Sequence, residues 1–120
     1  MSTPRQQLGR WGEQAAASYL QARGYTIEAQ NLRSEHGEID LLASKDGQLI
    51  FVEVKARRST RFGHPEEAVT AAKQAHLIAA AQAYMQSQPA EREWRIDVIS
   101  VFQPAAGPPD IVHIENAVHG

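Results

Sequence analysis

Asp40, Glu53 and Lys55 are the residues whose types and spacing could do chemistry in this chain. They lie in two largely apolar segments, Gly37-Glu38-Ile39-Asp40-Leu41-Leu42 and Phe51-Val52-Glu53-Val54-Lys55, with Asp46-Gly47 between them. An Asp-Gly pair flanked by apolar runs signals a two-residue hairpin loop. That loop fixes a register with Asp40 directly opposite Glu53 and Glu38 opposite Lys55. Because side chains alternate along a strand, Glu38, Asp40, Leu42, Phe51, Glu53 and Lys55 share one face, and Ile39, Leu41, Val52 and Val54 share the other. Like charges opposed across a hairpin are destabilising, so the pair asks for a compensating cation. A hard divalent metal ion suits two carboxylates.

The bland reading of the same face is a solvated acidic patch neutralised by a cross-strand lysine. Leu42 and Phe51 lie on that face and need cover. A helix that covers them places the carboxylates at the edge of a core, where the metal reading gains over the solvated one.

The elements that must position these residues follow from periodicity. Residues 5–23 read as an amphipathic helix, with Leu8, Trp11, Ala15, Ala16, Tyr19 and Leu20 on one stripe and Gly24 as its C-terminal stop. Glu13 falls beside Leu20 at the margin of the stripe, from which it can reach inward. Residues 25–31 read as a first strand, followed by a polar connection over 32–36 and then the hairpin. Residues 56–64 read as a basic loop. His64-Pro65-Glu66-Glu67 is expected to open a second helix that runs to about Gln86, since proline and acidic residues suit the first turn. Residues 94–102 form another strand, with Trp94, Ile96 and Val98 on one face and Ile99 and Val101 on the other. A proline-rich turn over 103–110 leads to a short last strand at 111–114. The expected fold is therefore α/β (α+β): a mixed central sheet of four to five strands flanked by helices, in the order helix, three strands, helix, one or two strands.

The 120 residues fit one domain with a genuine core, and the first four and last five positions are expected to fray. Without cysteine there is neither a disulfide nor a thiolate metal site. No stretch reads as a signal peptide or a membrane span, so the expected location is the cytoplasm, with no membrane partner. A net charge of −2 and a pI near 6.2 exclude a protein that coats nucleic acid through a broad basic surface. Polyanion contacts must be local, and the dense basic cluster is Lys55, Arg57, Arg58 and Arg61. The five histidines lack the paired spacing of a zinc site. Trp11 and Trp94 read as core or interface aromatics.

Asp40 followed by Glu53-x-Lys55 on adjacent strands, after a helix carrying Glu13, resembles the PD-(D/E)xK, or restriction-endonuclease-like, nuclease superfamily. A sharper resemblance is to the bacterial family typified by YraN. It rests on Gly9-Arg10-Trp11-Gly12-Glu13, Gly24-Tyr25, Asn31-Leu32-Arg33, Gly37-Glu38-Ile39-Asp40-Leu41, Phe51-Val52-Glu53-Val54-Lys55-Ala56-Arg57, Lys73 and Asp97-Val98. Where the superfamily pattern has proline, this chain has Ile39.

The resemblance implies a metal-dependent endonuclease that hydrolyses DNA or RNA, with DNA favoured over RNA and structured or branched DNA as the expected substrate. It implies that Asp40, Glu53 and the Val54 backbone carbonyl bind Mg²⁺ or Mn²⁺. Glu13 would be a further ligand or would hold a bound water. Lys55 would orient the attacking water and stabilise the charge developing on phosphate. The chemistry is consistent: phosphodiester cleavage needs a nucleophile near neutral pH and stabilisation of an anionic transition state. Mg²⁺ takes only one or two carboxylates and keeps several waters, so two or three acidic residues suffice.

Arg57, Arg58 and Arg61 are candidate phosphate contacts, as are Lys73 and, more weakly, Arg33; each also reads as an ordinary surface charge. Glu38 reads as an ion-pair partner for Lys55 or for a basic loop residue rather than a ligand. A homodimer would let two sites address two strands. The competing function is a catalytically inactive nucleic-acid-binding or partner-docking module of the same fold, which the modest charge favours, as it does reliance on a partner protein.

Overall fold

The structure, a computed structural model, describes residues 1–58 and 69–118. Its elements are α1 (Pro4–Ala22), β1 (Thr26–Ser34), β2 (Gly37–Lys45), β3 (Gln48–Arg57), α2 (Ala71–Gln86), β4 (Trp94–Phe102) and β5 (Asp110–Val118). The five strands form one sheet in the order β1-β2-β3-β4-β5. Among the described strands only the β3–β4 pair is parallel, and α2 lies in the connection between those two strands. A parallel pair needs such a long crossover, whereas the antiparallel β1–β2 and β2–β3 pairs close through two-residue turns and β4–β5 through residues 103–109. The mixed α+β architecture and element order match the expectation.

Local chemistry sets the boundaries. Thr3 and Gln6 make a capping box that satisfies two free N–H groups at the start of α1. Its end is fixed by Gly24 at φ 88, where the Gly24 and Tyr25 N–H groups donate back to the Gln21 and Leu20 carbonyls. Asp46 and Gly47, at φ 52 and φ 80, make the tight turn between β2 and β3 with both central residues left-handed.

Three expected boundaries move. β1 continues to Ser34 instead of ending at Asn31, because residues 32–34 pair with Ile39, Glu38 and Gly37 and leave only Glu35-His36 as the turn. The second helix starts at Ala71: Thr70 has ψ 163, which is not helical, and its hydroxyl accepts the Lys73 N–H as an N-cap. Arg61 and the expected helix start at His64-Pro65-Glu66-Glu67 lie outside the described residues. β5 runs through nine residues to Val118, longer than the short final strand expected at 111–114.

The sheet is covered on both faces. Ala16, Ala17 and Leu20 of α1 pack on Leu41, Ala43, Ile50, Val52, Ile99 and Val101. Leu77, Ala80 and Ala81 of α2 pack on Ile39, Leu42, Leu49, Phe51, Ile96 and Val98. Phe51 is fully buried and meets the Tyr84 and Trp94 rings edge-on at 5.7 Å each. The cover that Leu42 and Phe51 required is therefore α2, and the burial of such a ring contributes about 2–3 kcal/mol.

Ile39 is a correction. It shares the α2 face with Leu42 and Phe51, not the α1 face with Leu41 and Val52. Residues three apart on one face mean that the alternation of β2 slips between them. On the neighbouring strand Asn31, which lies between the partners of Leu41 and Ile39, has φ 52, and this local twist accompanies the slip.

Candidate functional site

The hairpin register is as expected from Lys45–Gln48 to Leu41–Val52 and then stops. Beyond Leu41 the two strands part, so Asp40 and Glu53 are not ladder partners. The reason is the Asp40 side chain: its Oδ2 accepts the Val54 N–H at 2.8 Å and takes the place of a backbone bond. Asp40 thus sits in a fork between β2 and β3. Val54 meets it through the N–H.

Glu53 follows Phe51 toward the α2 side and is only 4% exposed. Lys73, in the first turn of α2, brings its Nζ to 3.6 Å from Glu53 Oε2. That is an ion pair longer than a hydrogen bond, and among the described residues Oε2 has no hydrogen-bond partner. Burial first, then the Asp40 charge, push Glu53 up to about 7 against the partial relief of Lys73 and Lys55. Burial also pushes Asp40 up; the Val54 N–H, Lys73 and Lys55 oppose it. A half-buried and a buried carboxylate whose charge is disfavoured, the second with an oxygen unsatisfied among the described residues, make a pocket of negative potential that suits a cation.

Glu13 reaches the same region from α1, where burial, then Asp40, then Glu38 push its carboxyl up. α1 approaches closely because residue 12 is glycine: a Cβ there would lie 2.5 Å from the Ala56 Cβ. Among the described residues no group of three or more His, Asp or Glu side chains could hold a metal ion, so Glu13 does not close a three-carboxylate cage with Asp40 and Glu53. The expected Glu38–Lys55 ion pair is not among the ion pairs of the described residues. Glu38 Oε1 instead accepts the Asn31 amide at 2.7 Å, with that amide nitrogen turned toward the carboxylates.

The basic candidates divide. Lys73 joins the carboxylates directly. Arg57 lies at the end of β3 with its guanidinium 3.4 Å from Ser100 Oγ, and Arg58 donates to Gln103 Oε1 at 3.1 Å. Arg33 lines a groove of about 470 Å³ with Gln6, Arg10, Glu13, Asn31 and Glu38. Arg10 and Asn31 are site neighbours to which the spacing gave no role. The signal available for Asn31 was its type, since asparagine is the commonest non-glycine residue in a left-handed conformation.

The model of the Uncharacterised protein family UPF0102 matches residues 12–101. The chain belongs to this family. A UPF0102 protein of Syntrophomonas wolfei is 48% identical over 112 residues, covering 92% of this chain and 96% of that protein. One from Chloroflexus aurantiacus is 45% identical over 120 residues, covering 98% of each. A third, from Chlorobium chlorochromatii, is 53% identical over 95 residues, covering 79% of this chain and 74% of its own length. The UPF0102 match begins one residue before Glu13 and takes in Asn31, Asp40, Glu53, Lys55 and Lys73. No helix among the described residues is long and apolar enough to cross a membrane.

Proposed function

We propose that this UPF0102 protein is a metal-dependent endonuclease of the PD-(D/E)xK type, hydrolysing phosphodiester bonds of nucleic acid, with structured or branched DNA as substrate. The observation that carries the proposal is the fork at Asp40: a half-buried and a buried carboxylate from adjacent strands, with Glu53 Oε2 lacking a hydrogen bond among the described residues. Mg²⁺ or Mn²⁺ fits that donor set, since Mg²⁺ needs only one or two protein carboxylates. Asp40 and Glu53 would hold the ion, with the Val54 carbonyl and Glu13 as supporting groups. When bound, the ion supplies neutralisation of the phosphate charge and a nucleophile at neutral pH.

Lys55 follows Glu53 by two residues and contributes positive charge toward both carboxylates. Its ammonium is the group to orient a water and to meet the charge that develops on phosphate. Asp40 is held rigidly by the Val54 N–H, so the first ligand is preorganised. Arg57, Arg58, Arg61, Lys73 and Arg33 would contact the flanking phosphates. Pairing of two copies would let two sites address two strands.

The inactive binding module is the second reading, and one contact favours it: Lys73 already stands 3.6 Å from Glu53 and partly neutralises it. Cleavage of branched, single-stranded and duplex DNA and of RNA, with Mg²⁺ or Mn²⁺, separates the two. Cleavage that is lost in Asp40→Ala and Lys55→Ala supports the nuclease. Tight binding of any of these nucleic acids with no cleavage, or cleavage untouched by both substitutions, overturns it.

A further inference from the structure

Asn31 touches two carboxylates beside the fork, yet the proposed chemistry gives it no part. It lies in the middle of β1 with φ 52, a left-handed backbone that L-residues other than asparagine and aspartate avoid. Its neighbours Gln30 and Leu32 pair with Leu41 and Ile39, which sets Asn31 at the level of Asp40. In the orientation that satisfies both ends of its amide, the nitrogen donates to Glu13 Oε1 at 3.0 Å and to Glu38 Oε1 at 2.7 Å.

A primary amide has two hydrogens, and each here serves a different acid. One of those acids is on α1 and the other on β2, so the amide bridges helix and sheet at the mouth of the groove that Arg10 and Arg33 also line. Glu13 and Glu38 would otherwise repel each other and Asp40. An apolar residue at position 31 would leave the Glu13 carboxylate free to swing out to solvent.

We propose, building on the nuclease reading, that Asn31 is a positioning residue: it fixes the Glu13 carboxylate toward Asp40 so that Glu13 supports the divalent ion or a water on it. Groups that orient the ligands of a metal govern its affinity strongly, by about 10- to 100-fold when removed. Asn31 acts through Glu13 and does not itself touch the ion or the phosphate.

The experiment is Mn²⁺ titration calorimetry of the full chain carrying Asn31→Gly, Glu13→Gln or both, with thermal melts in EDTA alongside. Asn31→Gly deletes the amide while keeping a residue at ease with positive φ. Asn31→Ser, whose hydroxyl is too short to span both acids, serves the same purpose if the glycine variant does not melt cooperatively. The expected result is a cooperative melt, an Mn²⁺ affinity about 10- to 100-fold weaker, and little further loss when Asn31→Gly is added to Glu13→Gln. In cleavage assays kcat falls and KM for the nucleic acid stays.

Wild-type affinity in Asn31→Gly overturns the inference, and so does a full, additive loss in the Glu13→Gln background, which would trace the effect to the backbone. If the wild type binds Mn²⁺ but cleaves nothing, the nuclease reading falls while a weakened, non-additive Asn31→Gly still supports the positioning role. If the wild type binds no Mn²⁺, both fall together.

Discussion

Gly12→Ala is the substitution whose outcome the packing predicts most sharply. In an exposed helix the change would stabilise by about 1 kcal/mol, since alanine is the better helix former. Here Gly12 is buried on α1, and the added Cβ would lie 2.5 Å from the Ala56 Cβ, where ordinary contact begins at 3.4 Å. A Cβ cannot rotate away, so α1 and β3 must separate by roughly 1 Å locally to reach a normal carbon–carbon distance. Overpacking costs about 1–3 kcal/mol, and a 2.5 Å approach between two Cβ atoms that cannot rotate apart belongs to the upper part of that range, about 2–3 kcal/mol, which exceeds the helix gain. The net expectation is a loss of about 1–2 kcal/mol, or roughly 4–8 °C in Tm for a chain of this size.

Urea unfolding followed by far-ultraviolet circular dichroism reads this as a lower midpoint at unchanged m-value. Ala56→Gly is the rescue. With the Ala56 Cβ gone, the new methyl meets the Ala56 Cα at 3.5 Å and a Val54 methyl at 3.8 Å, both ordinary contacts. The double variant should therefore be more stable than the sum of the singles by about 1–3 kcal/mol. A Gly12→Ala protein as stable as the wild type, or a cycle with no coupling, would refute the close approach. The same displacement moves Glu13, the next residue, away from Asn31 and Asp40, so Mn²⁺ binding should weaken in Gly12→Ala and recover in the double variant.

The remaining predictions concern buried charge and core volume. Asp97 is fully buried between Arg95 at 2.9 Å, the His113 Nε2 at 2.7 Å and the Asn116 N–H at 2.9 Å. Burial alone would raise its pKa, but hydrogen bonds from His113, Arg95 and Asn116 hold it below the ordinary 3.8. Its stabilisation is thus present above the ordinary value and lost as pH falls through the lower folded one; Asp97→Asn should cost about 3 kcal/mol at pH 7 and the gap to wild type should narrow in acid melts. In EDTA at pH 8, Glu53→Gln removes a buried charge with an unsatisfied oxygen and should raise stability by about 1–3 kcal/mol, while abolishing the rise in Tm that Mn²⁺ gives the wild type; a destabilised Glu53→Gln would show that Lys73 satisfies the carboxylate fully. Phe51→Ala empties the centre of the α2 face and should cost about 3–5 kcal/mol by denaturant titration, a cost that would shrink only if Tyr84 and Trp94 collapsed into the space.

The sequence by itself determined the elements and the identities of the acidic residues. Asp46-Gly47 admits one tight turn, because both central positions need positive φ, and that turn set the pairing of Leu41 with Val52 and Leu42 with Phe51. The alternation along residues 94–102 assigned Ile96 and Val98 to one face and Ile99 and Val101 to the other, as the two cores bear out. Lys73 read as a candidate phosphate contact and equally as a surface lysine, and in the fold its ammonium stands beside Glu53.

What only the tertiary structure decided is where regular geometry gives way. Extrapolating the hairpin ladder put Asp40 across from Glu53; in the fold the Asp40 carboxylate captures the Val54 N–H and opens a fork there. Period-two alternation put Ile39 with Leu41, but the slip beside left-handed Asn31 turns Ile39 toward α2. Glu38 looked like the partner of Lys55 on one hairpin, and it is Asn31, from a third strand, that binds it. Each departure depends on a group that the regular ladder leaves out, a side chain competing for a backbone donor or a neighbouring strand leaving its regular conformation. Such competition is settled by distances between elements, which spacing along one segment does not contain. Asp40, Glu53 and Lys55 could therefore be singled out from the chain alone, while the fork that holds Asp40 beside the buried Glu53, and the Asn31 bridge that ties Glu13 to it, arise only when α1, α2 and three strands are packed together.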